Sequence, residues 1–391
     1  MEMEEFIMSK GFPQKPITGN LNPQGKWLTT DVPEIMFEDT STGRMKKRIW
    51  DMSIEEVEKL LKEEYGIPGS PSGLGIAGTY IQNTPRSKVC ELREKNDIVI
   101  VPIGCTENHG LHANSGLDTF MVTQICEAVK RKSIKDGCEV ALAFPALLYG
   151  GHPYHHVGMP GTINIPQKTV EEMLIYILLG LWDDGFRKII LVNNHGHHWM
   201  LEAAIQEFFK RFQLPGFVTL VDWHRAVREF FYARPEKDDF VSSQFVHADE
   251  SETSVGMLLF PEMLDLSTAV DTEPKSFMLQ GHYDTACDAY RRPHSWAEVQ
   301  GNAAMEIFGT PEGVVGYPKR ATAEKAMRPI AAICEYLTLM CKEIREAYPV
   351  GTVPEMMTMR TAEELAPCLK TPLSEGWMSV HGLKKIGVFN D

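Results

Sequence analysis

No apolar run in this sequence approaches the roughly 20 residues that a membrane-spanning helix needs. The longest, Met173 to Trp182, is flanked by acidic residues and reads as a core helix. Basic charge is also scarce. Against 53 Asp and Glu there are 39 Lys and Arg, leaving a formal charge of −14, which opposes the phosphate contacts that dominate nucleic-acid affinity. Nucleic acid is therefore not an expected partner, and without a basic patch neither is an anionic membrane surface. Cysteine is present but unpaired in pattern: Cys90, Cys105, Cys126, Cys138, Cys287, Cys334, Cys341 and Cys368 stand singly, with no CxxC. That excludes a disulfide framework and a cysteine-based structural zinc site, and predicts plain reduced thiols. Repeats and low-complexity tracts are missing too, which sets aside solenoids and propellers. The opening MEMEEFIMSK has neither the basic nor the apolar region of a secretory signal, so a cytoplasmic location is expected.

What is present is an ordinary globular composition, 43% hydrophobic and 24% charged over 391 residues, enough for one large domain or two smaller ones. Residues 1–50 mix proline, glycine and charge without periodicity and read as an extended arm. Ser53–Tyr65 is a predicted helix, with Ser53 as cap and Glu56 three residues on. From Asp97 the pattern alternates. Strand-like 97–104 precedes helical 118–132, 141–150 precedes 169–186, 187–196 precedes 198–212, and 217–224 precedes a helix over 251–260; the last helix spans 321–347. Strands leading helices predict an α/β layered sandwich, a mainly parallel sheet flanked by helices. The expected organisation is an extension over 1–95, one α/β domain over 96–347 and a tail over 348–391.

The polar clusters lie just past the ends of predicted strands, where open parallel sheets place their sites. They read GCTENHGLHANSGLD, GGHPYHHVGMPGT, NNHGHHW and HADESETS. Eight of the 13 histidines, at 109, 112, 152, 155, 156, 195, 197 and 198, fall in the first three. Imidazole mixed with carboxylate suits zinc or manganese, whereas calcium and magnesium prefer oxygen. Each short motif alone is weak. Glu107 and His109 two apart are usual on any loop, and Asp118 at a helix start reads equally as a plain N-cap.

Together and in this order, ENHGLH with LD, then MPGT, NNHGHH, HADESET and GVVGYPKRATAEKA closely resemble the motifs of the creatininase family of metal-dependent amidohydrolases, over roughly 95–345. The resemblance implies two divalent ions, zinc, manganese or both. Their ligands would be Glu107, His109, His195 and Glu252, with Asp118 bridging, and His247 would be the catalytic histidine. It also implies substrate contacts at Gly161 and Thr162, with His156 beside that turn. At His197 the chain departs from creatininase, which has a glutamate acting as ligand and base; an imidazole there could still bind metal or act in catalysis. His112, His152, His155 and His198 read as hydrogen-bonded loop histidines. Trp199 and Trp223 are candidate pocket walls, Trp223 the one assigned to substrate.

The activity implied is hydrolysis of a small polar cyclic substrate by metal-activated water attacking a carbonyl, with His247 protonating the leaving group. Both a cyclic amide and a cyclic β-diketone of the inositol type, opened at a C–C bond, fit that chemistry; the long N-terminal extension favours the diketone branch of the family. By the same resemblance the chain is expected to form a homo-oligomer, often a hexamer. Two other readings remain. A barrel-type amidohydrolase would use His195-x-His197 but place it on its first strand, and a metal-stabilised scaffold subunit would leave no open coordination position.

Overall fold

The structure, a computed structural model, describes residues 26–32, 35–67, 73–145, 147–151, 158–243, 245–273 and 310–354. A short antiparallel ribbon of β1 (Trp27–Thr29) and β2 (Met36–Glu38) pairs Leu28 with Phe37 and leads into helix α1 (Ser41–Asp51). Gly43 allows the entry: a Cβ there would lie 1.8 Å from the carbonyl oxygen of Glu38. Helix α2 (Ile54–Leu60) opens with the capping box of Ser53 and Glu56 that the spacing predicts, and runs into a π turn over Leu61–Tyr65. Helix α3 (Arg86–Lys95) follows.

The main sheet has four parallel strands, β3 (Ile98–Ile103), β4 (Ala141–Leu142), β5 (Lys188–Asn193) and β6 (Phe217–Asp222), in the order β4-β3-β5-β6. Helices α4 (Leu117–Lys135), α5 (Gln167–Asp183) and α6 (His198–Phe212) make the crossovers. A one-turn α7 (Trp223–Ala226), then α8 (Glu250–Leu259) and the long α9 (Ala323–Ala347), complete the elements that matter here. Every residue of β3 and β5 is buried because helices cover both faces. Alternation sorts them: Ile98, Ile100, Ile190 and Val192 face the core of α4, α8 and α9, while Val99, Val101, Ile103, Ile189 and Leu191 face that of α5 and α6. The α/β layered architecture is the one expected.

Two departures have physical reasons. The second expected strand, 141–150, narrows to Ala141–Leu142 plus a single bridge between Ile103 and Leu147. The gap coincides with Pro102, which has no N–H to give on the β4 side, so the ladder lapses there without loss. The expected arm, from Ile35 onward, is part of the main core: Ile49, Trp50, Val57, Leu61 and Tyr65 are buried in the cluster that contains α9. Its apolar residues are few and set among lysines and arginines, which hid the helix. No helix among the described residues is long and apolar enough to cross a membrane.

Candidate metal centre

The sheet order reverses between β3 and β5, and the crevice at that point holds the expected ligands. Glu107 and His109 come from the loop after β3, Asp118 from the first turn of α4, His195 from the loop after β5, and Glu252 from the first turn of α8. All five are buried, as is His247 just ahead of α8. Asp118 does not cap its helix; Gly116 is the N-cap, and the carboxylate turns inward.

His195 Nδ1 lies 2.9 Å from Glu107 Oε2 and 3.1 Å from Asp118 Oδ2. His109 Nε2 lies 3.6 Å from Asp118 Oδ1 and 3.7 Å from Glu252 Oε2. His109 is held by its other nitrogen, Nδ1, 3.1 Å from the Glu107 carbonyl oxygen, and its buried Nε2 has no hydrogen-bond partner. Donor atoms on a tetrahedral ion with bonds near 2.1 Å stand about 3.4 Å apart. The spacing around His109 Nε2 is thus that of ligands about an ion, too long for hydrogen bonds. Groups able to hold a metal form at Glu107, His109 and His247, at His109, Asp118 and Glu252, and at Cys105, Asp118 and His195. The residues present fit divalent ions.

Electrostatics divide the two imidazoles: burial lowers both, but at His195 Cys105, Glu107 and Asp118 overcome it and raise the ring well above its usual range, a charge that a bound cation would displace. Burial drives the His109 imidazole down to about 3, keeping it neutral as a ligand must be. Burial raises the Asp118 carboxyl to about 6 and pushes Glu252 well above the usual range, with Asp118 adding to the latter. A cation reverses both effects.

A family model described as creatinine amidohydrolase matches residues 83–341. The chain belongs to the creatininase family. It is 40% identical over 306 residues to the 3-dehydro-scyllo-inosose hydrolase of Thermotoga maritima, covering 78% of this chain and 96% of that one. To the creatinine amidohydrolase of Pseudomonas putida it is 26% identical over 190 residues, 46% of this chain and 71% of the relative. Among solved structures, "Creatininase Mn" superposes with a TM-score of 0.53 at 22% identity over 69% of this chain and 99% of the other. A mutant creatininase of the Zn-Zn type gives 0.53 at 20%, covering 69% of this chain and 98% of that one. These two establish the fold. With its relatives, the family assignment makes this chain a hydrolase.

The other creatininase motif residues take different places. The turn with Gly161, at φ +90, is tied to the loop after β3: Asn108 N donates to Thr162 Oγ1 at 2.9 Å and Asn108 Nδ2 to Pro160 O at 2.5 Å. His197 is fully buried and joins none of the three ligand groups; its Nε2 lies 3.1 Å from Asn193 Oδ1 and its ring 4.6 Å from that of His195. Trp223 has no exposed surface, so in this structure it walls no opening. Its indole N–H instead donates to Asn194 Oδ1, and Asn194 Nδ2 donates to Asp118 O at 3.0 Å and Oδ1 at 3.2 Å. His112 is a hydrogen-bonded histidine, Nε2 lying 2.9 Å from Thr253 Oγ1. His198 begins α6, and Trp199 is exposed. His152, His155 and His156 lie outside the described residues.

Sequence reasoning missed Asn108, Asn194 and Ala248. Asn194 was visible as a polar residue inside NNHGHH. Ala248 had no signal: it adopts φ +49, rare for a residue with a side chain, and so aims its N–H at Glu252 Oε2, 2.5 Å away.

Proposed function

We propose that this creatininase-family hydrolase opens a cyclic diketone of the inositol type by adding water across a ring C–C bond. The reading includes two divalent ions, zinc or manganese, at Glu107, His109, Asp118, His195 and Glu252. What carries it is the 40% identity that runs through 96% of the 3-dehydro-scyllo-inosose hydrolase; the similarity to creatinine amidohydrolase, 26% over 71% of that chain, is weaker. When bound, such ions lower the pKa of water and polarise a carbonyl.

The chain's own groups do the rest. Asp118 reaches His109 with one carboxylate oxygen, at 3.6 Å, and His195 with the other, at 3.1 Å, which supports a bridging role. His247 Nε2 is 2.7 Å from Asn108 O, an acceptor only, so Nε2 carries the proton and Nδ1 takes and gives one. That Nδ1 faces Glu107 Oε1 at 3.9 Å and Glu252 Oε2 at 4.0 Å. Hydroxide joins the carbonyl carbon, the ring bond breaks, its electron pair leaves as an enolate, and His247 returns the proton. The product is an open-chain acid, one water heavier. Gly161 and Thr162 offer backbone and hydroxyl groups to a polyol ring. His197 acts through His195: Asn193, which bonds His197, also donates to the His195 carbonyl at 2.5 Å.

Metal-replete protein assayed against 3-dehydro-scyllo-inosose and a lactam panel that includes creatinine tests the reading. Turnover of the inosose alone is expected, lost on chelation and restored by zinc or manganese. Turnover of lactams alone would transfer the chain to the cyclic-amide branch. We also propose a cytoplasmic location and, because the large apolar residues Leu148, Tyr149, Ile163, Met173 and Tyr176 are exposed, a homo-oligomer that covers them; light scattering giving a monomer mass would reject the oligomer.

A further inference from the structure

A buried cysteine is ordinarily a small apolar filler with an inert thiol. Cys105 differs in what its sulfur faces. The residue stands two positions beyond β3, and its carbonyl accepts a hydrogen bond from Thr119 Oγ1 at 3.1 Å, which ties the strand exit to the first turn of α4. Its sulfur, a carboxylate oxygen of Asp118 and a ring nitrogen of His195 lie within 4.8 Å of one another, all three residues buried. No other cysteine among the described residues belongs to such a group.

Two further observations point the same way. His195 Nδ1 lies 3.1 Å from Asp118 Oδ2, in a residue only 1% exposed, and 2.9 Å from Glu107 Oε2. Two carboxylates converging on one buried imidazole form, with the sulfur, the mixed donor set that a divalent cation takes. Gly150 keeps room for the sulfur: a Cβ there would come within 2.8 Å of Cys105 Sγ and 2.6 Å of His197 Nδ1.

We propose that Cys105 is a thiolate ligand of the ion held by Glu107, Asp118 and His195, and that it makes this position the zinc-selecting one of the pair. The proposal rests on the metal-dependent reading above. Zinc–sulfur bonds near 2.3 Å and zinc–nitrogen or zinc–oxygen bonds near 2.1 Å set such donors about 3.6 Å apart, a spacing compatible with atoms that all lie within 4.8 Å of one another. Soft sulfur prefers zinc and cobalt to manganese, whose sites are built from oxygen. The charge also balances: three carboxylates and neutral imidazoles leave two divalent ions one positive charge in excess, which a thiolate cancels. Burial pushes the Cys105 thiol up to about 11, but a coordinating cation strips the proton outright and releases it to solvent.

Cobalt(II) reports the bond directly. Full-length protein stripped with chelator and reloaded with cobalt should show a thiolate-to-cobalt charge-transfer band in the near ultraviolet beside the visible ligand-field bands. Cys105→Ser and Cys105→Ala should keep the cobalt and the ligand-field bands, lose the charge-transfer band, and reduce zinc-over-manganese preference in competition by about tenfold or more. Bound cobalt without that band in the wild type, or a band that survives in both variants, would overturn Cys105 as a ligand while leaving the metal centre intact. A wild type that takes up no cobalt, zinc or manganese would instead sink the metal reading itself, and this proposal with it.

Discussion

Glu107, Asp118 and Glu252 bring three carboxylates into one water-poor volume, each 6% exposed or less. Without compensation that arrangement is costly, and divalent cations are the compensation its geometry suits. Asp118→Asn and Glu252→Gln keep side-chain shape and remove charge, so both are expected to lose metal and turnover with an unchanged circular dichroism spectrum. Full wild-type metal content in either variant would contradict the ligand assignment. His247→Ala should retain both ions and slow turnover by about 10²–10⁴-fold; loss of an ion would make His247 a ligand instead. Behind Asp118, the indole of Trp223 fixes which way the Asn194 amide faces. Trp223→Phe keeps the buried ring and removes that donor, and is expected to weaken metal affinity about 10–100-fold, read by competition with a chromogenic chelator. That Glu107, His109, Asp118, His195 and Glu252 gather in one place was legible because they sit in short motifs past the strand ends. The roles of Trp223 and Cys105 were not, because spacing says nothing about where a side chain points once the core packs around it.

The turn into α8 is built to aim Glu252. Asp249, its N-cap, accepts from Val246 N at 2.6 Å, Ser251 N at 2.8 Å and Glu252 N at 3.1 Å, all with one buried carboxylate. Asp249→Ala should cost about 1–2 kcal/mol in urea unfolding and also loosen metal binding, while Asp249→Asn restores part of both; an unaltered metal titration for the alanine variant would mean the cap does not position Glu252. On α7, His224 packs against Trp223, Phe245 and Phe231 at centroid distances of 4.0, 4.6 and 5.7 Å. Burial, with Arg225 adding to it, drives its imidazole from 6.5 down to about 3. Between those values the unfolded chain binds a proton that the folded chain does not, so this stability is present above pH 6.5 and is lost as pH falls towards 3. In chelator-treated samples, melting temperature should fall less steeply over that window for His224→Gln than for the wild type, and parallel curves would remove the assignment. Elements with sustained periodicity were legible: α6 spans the predicted 198–212, and a helix does start where the segment from Ser251 reads as one, at Glu250. The short ones, β1, β2 and α3, carry too few periodic positions to register.

At the scale of the whole molecule, the open question is where the domain begins. The sequence reads as an extension over 1–95 ahead of the α/β unit, and the family model starts at residue 83. The packing argues for an earlier start. Ile49, Trp50, Val57, Leu61 and Tyr65 fill one cluster with Ile330, Ile333 and Leu337 of α9, and polar contacts reinforce it: Tyr65 Oη and Arg48 both bond Glu335, and Arg328 donates to Met52 O at 2.9 Å. Burying a large apolar side chain contributes on the order of 1.5–3 kcal/mol. Five of them amount to roughly 7–15 kcal/mol, as much as the net stability of a typical domain, about 5–15 kcal/mol. A chain beginning at residue 83 would keep every proposed metal ligand, since the first is Glu107, yet expose the face of α9 on which α1 and α2 lie. We therefore expect the truncated chain to melt without a cooperative transition and to bind metal far more weakly than the full chain, although no ligand is missing. A truncated chain with a sharp melt at the full-length temperature would show that the N-terminal helices brace the domain from outside and contribute nothing to its core.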